Sequence, residues 1–197
     1  MDVITGLDGL PRCPWPGADP LYLDYHDREW GAPLRDDRAL FELLLLEGFQ
    51  AGLSWLTVLK RRESMRRAFQ GFDPEALAAL TDADLARLLA DPGIIRNRLK
   101  VAAARSNARA CLALRDKGTG LADFLWGFVD GRPVVNRFER MDQVPASTSL
   151  SDRLSKELKV LGFTFVGSTI VYAFMQAAGL VNDHLVGCFR HAQLARS

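Results

Sequence analysis

ELLLLEGFQAGLSWLT, residues 42–57, decides the reading of this chain. Glu47 closes a four-leucine run, and Trp55 follows after an Ala-Gly-Leu-Ser break. A carboxylate inside an apolar run is costly if it stays charged and unpaired. Such a group is kept where something partners it: backbone amides or an arginine in a structural role, a ligand in a functional one. Asp36 and Asp37 are caps for a helix from about Arg38 to Gln50, Ala51-Gly52 breaks it, and Ser54 caps the next, WLTVLKRRESMRRAFQ.

Helical signals continue outward from there. Asp73-Pro74-Glu75 is a cap with proline at the first helical position, opening PEALAAL. Thr81-Asp82 caps ADLARLLA, Asp91-Pro92-Gly93 is a turn, and an alanine- and arginine-rich helix runs from about Arg96 to Arg115. LADFLWGFV is a further helix, and RPVVNRF is the only strand-like run. Two more helices, Ser149 to Leu161 and Val166 to Ala178, stop at Gly162 and Gly179. The fold class expected is all-α. Residues 1–11 read as a flexible leader and 12–197 as one domain, with a division into two helical lobes left open.

The bulk numbers exclude several classes. Of the 197 residues 48% are hydrophobic, enough for a sizeable core. A net charge of +1 argues against a strongly basic coat protein but leaves room for a local basic face. No apolar stretch reaches the roughly 18 residues of a membrane span. The start, MDVITGLDGLP, lacks the basic and apolar regions of a secretory signal. Three widely spaced cysteines do not make a disulfide framework and point to the cytoplasm. No exposed apolar heptad appears, so a monomer is expected.

Two of the three cysteines and two of the three histidines fall in pairs, Cys13 with His26 and His184 with Cys188. A Cys₂His₂ set suits tetrahedral zinc, and H-x₃-C can place both side chains on one side of a helical turn. Four ligands leave no open position, so such an ion is structural. The alternative, ordinary buried cysteines and histidines, stands equally on spacing alone. Cys111 reads as helix core.

Tyr22, Tyr25 and Trp30 crowd around His26, with Trp15 just upstream. Aromatics at this density make either plain core or a box for a flat or cationic ligand. The polar neighbours Asp24, His26 and Asp27 are unusual for a core stripe. ADPGIIRNRLKVAAARSNARA, residues 90–110, pairs a glycine-bearing hairpin with Arg98, Arg105 and Arg109 at helical spacing. Backbone amides at a helix start attract phosphate, and arginines strengthen the grip; a solvated helix face is the plainer reading.

In chain order, RCPW, DPLYLDYHDREWG, LFELLLLEGFQAGLSW, GIIRNRLK, SDRLSKELKVLGFTFVGSTI and FMQAAGLVNDHLVGC resemble the sequence blocks of the bacterial 3-methyladenine DNA glycosylase I family, from Arg12 to about Cys188. The resemblance implies an all-α bundle of helix-hairpin-helix type. It implies one structural zinc held by Cys13, His26, His184 and Cys188, joining the N- and C-terminal segments. It also implies a base pocket at Tyr22, Tyr25, Glu47 and Trp55 with Trp15 and Trp30 nearby, and Leu53 as the residue that enters the duplex. On this reading the partner is alkylated double-stranded DNA, the reaction is release of 3-methyladenine, and Glu47 is the catalytic group. Gly93 and Arg98 grip the backbone.

No lysine is placed for a Schiff base, so no strand cleavage is expected. RSNARACLALRD offers no residue to activate water. Two departures stand out: a longer leader, and Phe49 where the family pattern has a glutamine. Competing classes are a non-catalytic DNA-binding module with zinc, a zinc hydrolase, and a helical adaptor. The four-ligand set speaks against the hydrolase, and an adaptor leaves Glu47 and the tyrosines unexplained.

Overall fold

The computed structural model describes residues 2–195. Strands β1 (Ile4–Thr5) and β2 (Pro11–Arg12) precede α1 (Pro20–Arg28), α2 (Asp37–Gln50), α3 (Trp55–Ala68), α4 (Pro74–Ala78), α5 (Asp82–Ala90), α6 (Arg98–Asp116) and α7 (Leu121–Gly127). Then come β3 (Val134–Val135), α8 (Ser149–Val160), α9 (Ser168–Ala177), β4 (Val181–Asn182) and α10 (Phe189–Leu194). Asp19, Asp36, Ser54, Asp73, Thr81, Asn97 and Thr148 accept first-turn amides of α1 to α6 and α8. These caps satisfy donors that a helix start otherwise leaves open.

Helix α2 is buried on every side from Leu44 to Phe49, and Leu40 and Phe41 are interior as well. A helix apolar all round belongs at the centre of a core. It packs on α3, α6, α7 and α9, while α8 covers α9 and α4 and α5 lie on α6. The end of α2 is closed from outside the helix. Lys100 donates from Nζ to Phe49 O at 2.8 Å and to Ala51 O at 2.5 Å. This puts a cation at the negative end of the helix dipole and ties α2 to the start of α6.

Two sequence expectations change, and the structure places a third feature, Phe49. Within the segment read as a flexible leader, Ile4–Thr5 pairs antiparallel with Pro11–Arg12, and Arg12 binds Asp8 at 2.6 Å. RPVVNRF is not the only strand: β3 pairs parallel with β4, and β1 and β2 form a second ladder. Phe49 lies in the core, ring to ring with Phe69 at 5.4 Å. The next residue, Gln50, is the one that reaches the cavity described below.

Gly179 ends α9 at φ +72, and a Cβ there would stand 2.6 Å from the Ala32 carbonyl carbon. The 31–34 segment docks on this end of α9 through Gly31 N–Ala177 O and Leu34 N–Ala178 O bonds. Gly179→Ala is therefore expected to lose about 3 kcal/mol or more, since backbone strain and a backbone clash add. Gly118→Ala, at φ +85 but with nothing within 4 Å, isolates the strain alone, about 1 kcal/mol. Urea denaturation of the two variants checks the difference; equal losses would show that the contact with Ala32 carries no weight.

Candidate active site and metal group

A cavity of about 300 Å³ opens between α1, α2, α3 and α9. Tyr22 and Tyr25 reach it from α1, whose first turn is fixed by Asp19 Oδ1 accepting from Leu21 N and Tyr22 N. Trp55 enters from the first position of α3, held by the Ser54 cap on Thr57 N at 3.2 Å. Trp15 and Trp30 flank α1 and complete the aromatic side. Ring centroids lie 4.9 Å apart for Trp15–Tyr22, 5.1 Å for Trp15–Trp30 and 5.5 Å for Tyr25–Trp55. The aromatics and Glu47 named from the sequence are thus gathered at one cavity.

Glu47 is 3% exposed, and its Oε2 has no hydrogen-bond partner among the described residues. Burial pushes its carboxyl up to about 8. The plain structural role, a carboxylate bonded to amides or an arginine, does not describe it. The Tyr25 hydroxyl and Trp55 Nε1 are also buried without partners. Burial first and the nearby Glu47 second raise Tyr25 well above the usual phenol range and Tyr22 to about 12. Buried polar groups are nearly always bonded, so three orphans around one aromatic slot are the signature of a site for a flat polar ligand.

The opposite supply of lining residues comes from α9. Thr169, Tyr172, Ala173 and Gln176 face the cavity, as does Asp183 just after β4. Sequence reading missed them. Their signal is present all the same: Thr, Tyr and Gln recur at helical spacing through the otherwise apolar STIVYAFMQA.

Beside the aromatics, Cys13, His26, His184 and Cys188 converge, all buried, with their ligand atoms within 4.8 Å of one another. Sγ–N distances of 3.6 Å link Cys13 to His184, and Cys188 to both histidines. Tetrahedral coordination at about 2.0–2.3 Å needs ligand atoms roughly 3.5 Å apart, so the set fits a metal ion. The outer contacts aim the rings. His26 Nδ1 meets Asp27 at 2.8 Å, leaving Nε2 inward, and His184 Nε2 meets Trp30 O at 3.0 Å, leaving Nδ1 inward. Such contacts fix the tautomer of a ligand histidine. Arg12 in turn holds Asp27 through Nε and Nη2. The Cys188 contact and burial drive the Cys13 thiol far above its normal range, while Cys188 is held low. Two adjacent buried thiols cannot both ionise without a cation between them.

Of the candidate nucleic-acid contacts, Leu53 is 42% exposed on the turn between Gln50 and Trp55, both cavity residues. Arg98 is exposed at the first position of α6. Gly93 N already donates to Asp91 Oδ1 at 2.7 Å, so its amide is engaged within the chain. The expected arginine face is also reduced. Arg105 binds Leu80 O and Asp82, and Arg109 binds Ala78 O, so both fasten α6 to its neighbours.

With this geometry in view, comparison with known proteins is direct. Residues 15–191 match the family model described as Methyladenine glycosylase. The chain is 54% identical over 179 residues to DNA-3-methyladenine glycosylase 1 of Escherichia coli, covering 91% of this chain and 96% of that protein. It is 50% identical over 177 residues to DNA-3-methyladenine glycosylase of Haemophilus influenzae, covering 90% and 96%. A structure of the Staphylococcus aureus 3-methyladenine DNA glycosylase I, solved for its recognition of 3-methyladenine, superposes with a TM-score of 0.88 at 40% identity over 90% of this chain and 95% of that one. The chain belongs to the methyladenine glycosylase family.

Proposed function

We propose that this chain hydrolyses the N-glycosidic bond of 3-methyladenine in alkylated duplex DNA and releases the free base for base excision repair. The observation that carries the reading is Glu47, buried and unpartnered in an aromatic-walled cavity. The target base leaves the stack to enter the cavity. A base alkylated at N3 is a cation, and the faces of Tyr22, Tyr25, Trp55, Trp15 and Trp30 attract it. Glu47, protonated in an empty site near neutral pH, ionises opposite that cation. Neutral adenine brings no compensating charge and is rejected. The C1′–N9 bond breaks with its electron pair passing to N9, which neutralises the base. Water oxygen bonds to C1′ and its proton goes to solvent.

Leu53 fills the space the base vacates, and the α5–turn–α6 unit serves as the helix-hairpin-helix grip. Arg98 supplies the charge there, and Gly93 the turn that aims it. No lysine is among the residues lining the cavity, which supports a monofunctional glycosylase that leaves the strand uncut. The Cys13/His26/His184/Cys188 group holds one structural zinc that cross-links the chain ends and stays outside the chemistry. We place the enzyme in the cytoplasm, as a monomer whose residues 12–197 act as one glycosylase domain.

Release of free base from methylated duplex is the direct test. Wild type is expected to release 3-methyladenine, and Glu47→Gln and Trp55→Ala to lose about 100-fold or more of that rate at limiting duplex, the scale of a lost buried contact to the charged base. No release by a folded, metal-loaded protein would leave a DNA-binding module instead.

Elemental analysis is expected to give one zinc per chain, and Cys188→Ala to abolish it with a large fall in melting temperature. A variant that keeps its zinc would remove Cys188 from the ligand set.

Glu47 also sets a pH dependence. Its carboxyl binds its proton more tightly folded, about 8, than at the ordinary 4.5. The unfolded chain therefore releases the proton first, and stability falls as pH rises from about 4.5 to about 8. Glu47→Gln removes that slope. Urea denaturation at pH 5 and pH 8.5 is expected to show the variant gaining on wild type by several kcal/mol at the higher pH; a constant difference would show that Glu47 is not buried as a lone acid.

A further inference from the structure

Asp183 is a second carboxylate in the same cavity, 2% exposed. Its surroundings are the reverse of those of Glu47. Asn136 Nδ2 donates to Oδ1 at 2.6 Å, and the Tyr172 hydroxyl and Gln176 Nε2 donate to Oδ2 at 2.6 and 2.8 Å. All three donors are neutral, and among the described residues no lysine, arginine or histidine forms a salt bridge with it. Each partner donates and none accepts, the pattern of an acceptor-only carboxylate. Oδ1 keeps a second acceptor position, and Tyr172 and Gln176 themselves line the cavity. A buried anion without a counter-cation is costly, and a structural tie between Asn136 and α9 would be served as well by a neutral amide.

The reaction supplies a use for it. Positive charge resides on the alkylated base at the start and leaves it as the C1′–N9 pair moves to N9. In the transition state that charge appears on the sugar at C1′ and O4′. An anion matched to the base alone, the role given to Glu47, loses its attraction as the bond breaks. Only interactions that strengthen in the transition state accelerate the step.

We propose that Asp183 is the fixed anion that stabilises the positive charge developing on the sugar, while Glu47 recognises the charge on the base. The inference rests on the glycosylase reading above. Tyr172, Gln176 and Asn136 then hold Asp183 in place.

The test compares binding to two abasic duplexes. One carries a pyrrolidine, whose ammonium mimics the sugar cation; the other carries a neutral tetrahydrofuran. Wild type is expected to prefer the pyrrolidine duplex at least tenfold. Asp183→Asn is expected to bring that preference near unity with tetrahydrofuran affinity kept within twofold, and to slow single-turnover excision at least tenfold. Glu47→Gln is expected to retain the preference. Equal binding of both duplexes by wild type overturns the proposal without any variant, so poor folding of Asp183→Asn does not shelter it. So does a preference that survives Asp183→Asn, or a parallel fall in affinity for both duplexes, which marks a structural tie only. If wild type releases no 3-methyladenine, the glycosylase reading fails; release without the preference sinks this inference alone.

Discussion

The convergence of Cys13, His26, His184 and Cys188 governs where the two ends of the chain lie. The first pair sits around α1 and the second between β4 and α10, so their meeting closes the molecule across its length. The aromatic wall leans on this knot. Trp15 lies 5.2 Å from the His26 ring and Trp30 4.6 Å from His184. Helix α1 therefore presents Tyr22 and Tyr25 to the cavity beside its pinned His26, which lies one turn on from Tyr22. Arg12 extends the same constraint outward, linking Asp27 behind His26 to Asp8 of the N-terminal hairpin.

Within that frame, burial without a partner gives Glu47 its distinctive state. A solvated or arginine-paired carboxylate at this position would be an anion at neutral pH and would attract any cation. A buried lone carboxyl is held neutral by desolvation, and only a ligand whose own charge offsets that cost can ionise it. On the proposed reading, selectivity for a charged base over a neutral one follows from this environment together with the aromatic faces around it. Tyr25 and Trp55 share this condition, since neither polar end finds a protein partner.

Much of this was legible in the sequence, for identifiable reasons. Glu47 stood out because a charge interrupts an apolar run, and Cys13, His26, His184 and Cys188 stood out because cysteine and histidine are scarce here. Helix starts were legible because Asp, Ser, Thr and Asn caps act locally. What stayed hidden depends on long-range pairing. Arg105 and Arg109 looked like a phosphate face by spacing, yet their partners lie on α4 and α5 and in the link between them, which no local pattern displays. The hairpin in the supposed leader depends on Arg12 finding Asp8 and Asp27. Tyr172 and Gln176 were absorbed into an apolar helix, because sequence cannot tell which stripe of a buried helix meets a cavity. Phe49 departs from the family pattern at a position that proves to be core, which local sequence does not reveal.

The reassigned arginines sharpen how a chain of net charge +1 can address a polyanion. Arg61, Arg62 and Arg66 of α3 bind Pro92 O, Glu29 and Glu42, so the KRRESMRR run is largely internal bracing. Arg98 at the start of α6 and Leu53 on the α2–α3 turn both stay exposed. Lys100 makes these two features one unit. Two residues beyond Arg98, its ammonium clasps the carbonyls of Phe49 and Ala51, between Glu47 and Leu53. The start of α6 is thereby tied directly to the last turn of α2. The proposed backbone grip, duplex wedge and base-reading carboxylate therefore share one joint, the buried Lys100.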